Sequence, residues 1–184
     1  MRVVAGKFRG RTIKSPNSEA IRPTADRLRE SLFNILVHAY GNPIIDARVL
    51  DLFAGTGALG IEAISRGARS VLFVDDSAEG RALLRENVEA FALGGIAKIF
   101  RRDATNLGNV HPNEPFTLVF CDPPYRKGLA ELALASARSG GWLAPGAFVV
   151  VEEATDAKFA APEGFEELER RAYDDTEFVI LRAA

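Results

Sequence analysis

At 184 residues the chain has single-domain length, and its 47% hydrophobic and 26% charged residues suit a globular protein that can bury a full core. One cysteine excludes a disulfide framework and points to an intracellular protein. No apolar run approaches the ~18 residues of a membrane helix, and the opening Met1-Arg2-Val3-Val4-Ala5-Gly6-Lys7 lacks a signal peptide's apolar stretch, so the cytoplasm is the expected compartment. The net charge of -2 conceals a gradient, with residues 1–34 at +5, residues 35–150 at -1 and residues 151–184 at -6. Arg2, Lys7, Arg9, Arg11 and Lys14 all precede the first acid, Glu19. A basic end of this kind points to a polyanionic partner, although a solvated basic arm carries the same charge.

Val3-Val4-Ala5 and Thr12-Ile13 bracket Phe8-Arg9-Gly10 as a short hairpin. Thr24, after Pro23, is placed to cap a helix in which Leu28, Leu32, Ile35 and Leu36 share one face, and Gly41-Asn42-Pro43 stops it. Strands and helices then alternate. Residues 49–53 read as a strand, and a glycine-rich loop leads into a helix over Ala58–Arg66 closed by Gly67. A second strand covers 71–74, and Ser77 caps a helix running to about Ala92, with Gly94-Gly95 as its stop. Strands follow at 97–101 and 116–121, a helix at 127–139 and a strand at 147–152. Two further extended segments, 166–172 and 177–181, join antiparallel through Asp174-Asp175. The expectation is a doubly wound α/β domain with a mostly parallel, seven-stranded sheet behind a small basic hairpin-helix extension.

Between the first strand and its helix stands Asp51-Leu52-Phe53-Ala54-Gly55-Thr56-Gly57-Ala58-Leu59-Gly60. Gly55, Gly57 and Gly60 make G-x-G-x-x-G, and Asp75 follows Gly55 by twenty residues at the end of the next strand. Glycines let backbone approach a ligand, and an acid so placed accepts hydrogen bonds from ribose hydroxyls. The pattern says nucleoside-containing cofactor. Asp51, just ahead of the loop, would oppose a pyrophosphate but suits a sulfonium or ammonium. Asp103, closing the third strand, is placed for an adenine amine. Each acid could instead cap its following helix, but Ser77 already fills that role after Asp75.

Asp122-Pro123-Pro124-Tyr125 ends the fourth strand. Neither proline has an N–H for a sheet ladder, and each holds its predecessor extended, giving a rigid elbow beside the cofactor loop. The Asp122 carboxylate and the Pro123 carbonyl can both accept from one NH₂ group, and Tyr125 offers a ring for a planar base. An exocyclic base amine is a poor nucleophile, because its lone pair is delocalised. Two acceptors aim that lone pair and stabilise the charge that develops on nitrogen. No metal is expected: His38 and His111 are isolated, and Cys121 reads as a core residue.

These motifs resemble class I S-adenosylmethionine-dependent methyltransferases, a group that includes DNA amino-methylases and glutamine methyltransferases. Arg2 to Arg11, followed by Arg22-Pro23-Thr24-Ala25-Asp26-Arg27-Leu28-Arg29-Glu30-Ser31-Leu32-Phe33-Asn34, is similar to the RsmD family, which methylates N2 of one guanine in bacterial 16S ribosomal RNA. The resemblance implies S-adenosylmethionine as cosubstrate, 16S ribosomal RNA within a small-subunit particle as partner, and a monomer. It makes residues 1–40 the basic extension and residues 41–184 the methyltransferase domain. Asp122, Pro123 and Tyr125 become the amine-gripping site. The implied cofactor site joins Asp51, Phe53, Gly55, Thr56 and Gly57 to Asp75, Asp103, Ala104 and Thr24. Arg2, Lys7, Arg9, Arg11, Arg22, Arg27 and Arg29 face RNA or brace the cofactor pocket. One departure is Asp75, where a longer glutamate is expected. The competing readings are an amino-methyltransferase of another nucleic acid or of glutamine, an NAD-dependent oxidoreductase, and a non-catalytic RNA-binding module.

Overall fold

The computed structural model describes residues 1–16 and 23–184, with the side chains of Pro23 and Thr24 left aside. Helix α1 (Pro23–Ala39) precedes an alternation of β1 (Arg48–Leu52), α2 (Ala58–Ser65), β2 (Ser70–Val74), α3 (Ala78–Ala90), β3 (Ala97–Phe100) and β4 (Phe116–Cys121). Helix α4 (Leu129–Ser139), β5 (Leu143–Ala154), β6 (Phe165–Tyr173) and β7 (Thr176–Ala183) complete the chain. The seven strands lie in the order β3-β2-β1-β4-β5-β7-β6. β1 to β5 are parallel, and β7 runs antiparallel to both β5 and β6. Strands buried on both faces explain the continuous apolar runs: Val49, Leu50 and Leu52 in β1 and Leu118 to Phe120 in β4 are all 0% exposed.

The α1 face behaves as its spacing requires, with Leu32, Ile35 and Leu36 buried and Leu28 packed at the margin. Its start differs from expectation. The helix begins at Pro23, whose fixed φ suits a first helical position, so Thr24 lies inside the first turn rather than at the cap. Helix α3 ends at Ala90, two residues before the expected Ala92. Phe91 and Leu93 both turn into the core, and Ala92 between them takes the left-handed conformation at φ 55°. β5 starts four residues before expectation because Leu143 already pairs with Phe116. The register then shifts before Leu118, letting the Pro145-Gly146 step bulge within a continuing strand.

The basic hairpin is anchored to the domain. Val3 and Ile13 are 2% and 1% exposed and share one apolar cluster with α1 and the sheet. Glu62 of α2, 0% exposed, accepts from the Val4 and Ala5 amides at 2.9 and 3.0 Å. The Ser65 hydroxyl donates to the Ala5 carbonyl (2.6 Å) and accepts from the Phe8 amide (2.9 Å). Gly6 lies so close that a Cβ there would sit 1.9 Å from the Ser65 carbonyl oxygen. Among the described residues no helix is long and apolar enough to cross a membrane.

Candidate active site

The carboxyl ends of β1, β2 and β4 and the segment after β3 enclose a cleft of about 500 Å³. It is lined by Phe53, Ala54, Gly55 and Thr56, by Asp51, Asp75, Asp76 and Asp103, by Arg102 and Ala104, and by Asp122 to Pro124. The loop after β1 reaches it through two left-handed residues, Phe53 at φ 56° and Gly55 at φ 57°. Left-handed backbone is strained for a phenylalanine and concentrates at functional sites. A Cβ on Gly55 would meet nothing within 4 Å, so that face of the loop opens toward the cleft.

Gly57 departs from expectation. It is buried at the start of α2 with φ 83°, where a Cβ would strike Leu84 at 2.8 Å, so it shapes the loop from behind the cleft wall. Gly60 has a packing role as well, because a Cβ would lie 2.5 Å from the Phe73 ring.

The acids divide between bracing and lining. Asp75 accepts from the Gly55 amide (2.8 Å) through one oxygen and from the Ser77 amide (2.9 Å) through the other, tying the glycine loop to the end of β2. Ser77 itself caps α3 by accepting from the Gly80 amide. Asp103 accepts from the Thr105 amide and hydroxyl, at 2.8 and 2.7 Å, both on Oδ1. Asp51, 1% exposed, accepts from the Gly60 amide at 3.0 Å, and burial pushes its carboxyl up to about 8. Among the described residues no cluster of potential ligands suits a metal ion.

A second cavity of about 500 Å³ adjoins the first, between α1 and the ends of β4, β5 and β7. Its walls include Ala25, Leu28 and Arg29 on one side and Tyr125, Glu152, Thr176 and Phe178 on the other. Met1, Ala58, Leu59 and Asp122 line both spaces, so Asp122 stands at the passage between them. Pro123 is buried beneath it, fixing the elbow. Tyr125 is half-buried, donating its hydroxyl hydrogen to Glu152 and lying 3.0 Å from the Thr176 hydroxyl. Burial raises the Asp122 carboxyl well above the usual carboxylate range, and the neighbouring Glu152 charge and hydrogen bond raise it further. Cys121 is a core residue, its thiol pushed up by burial.

The basic residues separate into two groups. Arg2, Lys7, Arg9 and Arg27 expose their side chains. Arg11, also exposed, packs over the Phe8 and Phe91 rings and donates to the Ala90 carbonyl at 2.6 Å. Arg29, expected to face RNA or to brace the cofactor pocket, does not face outward. It is 5% exposed, pairs with Glu62 (3.2 Å) and Asp26 (3.0 Å), and donates to the Arg2 carbonyl. Bracing is its structural role. Arg22 lies outside the described residues, as does the Thr24 side chain.

Sequence reasoning missed Glu62, Asn87 and Glu152. Asn87 is 1% exposed and joins the arm to the glycine loop, donating to the carbonyls of Lys14 (3.0 Å) and Thr56 (2.9 Å). An acid inside the apolar helix Ala58–Ser65 was a legible sign of a buried partner. Glu152, at the end of a strand beside β4, was legible from the rule that ligands lie beyond carboxyl ends.

The strand order, the reversed seventh strand and a ligand cleft beyond the strand ends are the architecture of class I S-adenosylmethionine-dependent methyltransferases. Residues 1–182 match the family described as Conserved hypothetical protein 95, and the chain belongs to that family. It is 39% identical over 153 residues to ribosomal RNA small subunit methyltransferase D of Escherichia coli strain K12, spanning 83% of this chain and 74% of that protein. The Haemophilus influenzae protein of the same name is 36% identical over 168 residues, 90% of this chain and 84% of its own length. The solved structure of yhhF from Escherichia coli, provisionally named a methyltransferase, superposes with a TM-score of 0.82 at 31% identity, covering 100% of this chain and 97% of that one.

Proposed function

We propose that the protein transfers the methyl group of S-adenosylmethionine to the exocyclic N2 amine of a guanine in 16S ribosomal RNA, acting in the cytoplasm as a monomer on a small-subunit particle. The observation that carries this reading is Asp122, a carboxylate shared by a cofactor-sized cleft and an adjoining second cavity. The relatives named as small-subunit ribosomal RNA methyltransferases support the choice of substrate.

The first cleft fits the cofactor chemically. Asp51, Asp75, Asp76, Asp103 and Asp122 all line it, a wall that disfavours the pyrophosphate of NAD and suits a cationic ligand. Gly55 gives the open backbone approach, Asp75 and Asp76 would accept from the ribose hydroxyls, and Asp51 would face the cationic portion. S-adenosylmethionine supplies a methyl group already activated by its sulfonium, so the chain need only position the acceptor.

That positioning falls to the elbow. Asp122 and the Pro123 carbonyl accept hydrogen bonds from N2, directing its lone pair toward the first cleft, while Tyr125 receives the base. As the N2–carbon bond forms, the methyl–sulfur bond breaks and sulfur keeps its electron pair. Asp122 stabilises the positive charge on N2 and takes the proton that N2 sheds. A base must leave its stack to reach this depth, which favours an unpaired or extruded guanine. Exposed Arg2, Lys7, Arg9 and Arg27, with Arg11, supply phosphate contacts.

The test is to map label from S-adenosylmethionine onto ribosomal RNA of a strain lacking the gene. Label on N2 of one guanine in the small-subunit RNA is expected. Label on protein, on DNA or on another base atom would overturn the proposal.

A further inference from the structure

The second cavity is lined by two carboxylates, Asp122 and Glu152. β4 and β5 pair with Cys121 beside Val151, so one residue further on Asp122 lies beside Glu152. The two side chains are within hydrogen-bonding reach of one another. Glu152 is half-buried and accepts from the Tyr125 hydroxyl. Arg29 lines the same cavity, but its guanidinium is committed to Glu62 and Asp26. Adjacent carboxylates removed from water repel one another unless donors are brought to them. A wall so rich in acceptors suits a ligand edge that carries only donors.

Among the four RNA bases, guanine alone offers N–H groups on two nitrogens that share one carbon of its base-pairing edge, the N1–H and the N2 amine on C2. Adenine and cytosine place an unprotonated ring nitrogen beside their amine, and its lone pair would face the second carboxylate. A glutamine side chain has its two N–H groups on one nitrogen, next to a carbonyl oxygen.

We infer that Glu152 is the base-selecting residue of this site, accepting the N1–H of guanine while Asp122 and the Pro123 carbonyl hold N2. The Tyr125 hydroxyl, itself 3.0 Å from the Thr176 hydroxyl, donates to the Glu152 carboxylate and orients it. Glu152 thus decides which base is admitted, and Asp122 acts on the amine. The inference rests on the guanine reading above and assigns its selectivity to one side chain.

The experiment uses small-subunit particles carrying guanine, 2-aminopurine or 2,6-diaminopurine at the position the wild-type protein methylates. All three bases carry the same amine on C2, but the two analogues have an unprotonated N1. Single-turnover methyl transfer is measured for wild type and Glu152→Gln, alongside melting temperatures. Wild type should favour guanine over either analogue by roughly 10² or more, because a polar site left unpaired rejects the analogue strongly. Glu152→Gln keeps an acceptor for the tyrosine hydroxyl and can turn its NH₂ toward an unprotonated N1. It should slow transfer to guanine while narrowing or inverting the preference by at least about tenfold. Equal loss on all three bases would show that Glu152 only supports the fold or Tyr125, overturning the inference while leaving the guanine reading intact. Failure of wild type to methylate the guanine particle would overturn the guanine reading, and the inference with it.

Discussion

Removing the Glu62 carboxylate should detach the N-terminal arm and destabilise the whole domain. Glu62 is 0% exposed and accepts four hydrogen bonds: the Val4 and Ala5 amides, Arg29 Nε at 3.2 Å and Arg66 Nε at 2.9 Å. Glu62→Ala leaves Arg29 buried with Asp26 as its remaining carboxylate, and leaves two backbone donors unpaired. Breaking a buried ion pair from one side costs about 3–5 kcal/mol. Asp26 remains and Arg66 is near the surface, which places the loss near the lower end, about 3 kcal/mol. For a domain of this size that lowers Tm by roughly 6–12 °C. Urea denaturation measures the loss, and hydrogen exchange at Val4 and Ala5 reports the arm directly. Glu62→Gln should lie between wild type and alanine, since it keeps one acceptor oxygen. A loss below about 1 kcal/mol, with protection at Val4 and Ala5 unchanged, would refute the view of Glu62 as the anchor.

The free Asp122 carboxyl is held above its usual range, so methyl transfer should rise with pH as the acid ionises; Glu152→Gln removes the neighbouring charge and should move that rise to lower pH, which a rate–pH profile would show. Asp51, raised to about 8 in the folded protein, contributes stability that is present below its unfolded value and is lost as pH rises toward 8. Asp51→Asn keeps an acceptor for the Gly60 amide and should lessen that loss, seen by comparing urea unfolding at about pH 6 and about pH 9. Replacing Lys7, Arg9 and Arg27 together by alanine should weaken RNA binding and reduce its salt slope by about 0.7 to 0.9 per lost phosphate contact, with cofactor affinity unchanged by calorimetry.

Much of the site was legible because its chemistry is local in sequence. The glycine loop and the Asp122-Pro123-Pro124-Tyr125 elbow each occupy consecutive residues at a strand end, Asp51, Asp75 and Asp103 each lie in or just after a strand of their own, and strand order brings them together. Contacts made across long separations were not legible. Arg29 looks like one more charge in a basic segment, and only the fold reveals the buried Glu62 that claims it, 33 residues away. The same holds for Asn87, whose side chain reaches an arm 73 residues earlier in the chain. Gly57 shows a subtler limit: the motif marks where a glycine is required, but not whether a ligand or the Leu84 side chain requires it. Ala92 shows another: Phe91 and Leu93 on either side of it are buried, and it takes a left-handed conformation that local propensity does not foretell.

The most direct test of the account is single-turnover methyl transfer to small-subunit particles by wild type, Asp122→Ala and Asp122→Asn, with melting temperatures and cofactor affinity measured on the same preparations. Loss of one of the two acceptors on the amine should slow Asp122→Ala on the order of 10² to 10³. Asp122→Asn, which keeps an oxygen but not the charge, should retain more activity, and cofactor affinity should change far less than the rate in both variants. Transfer by Asp122→Ala at the wild-type rate, or a loss matched by unfolding alone, would contradict the role given to this acid.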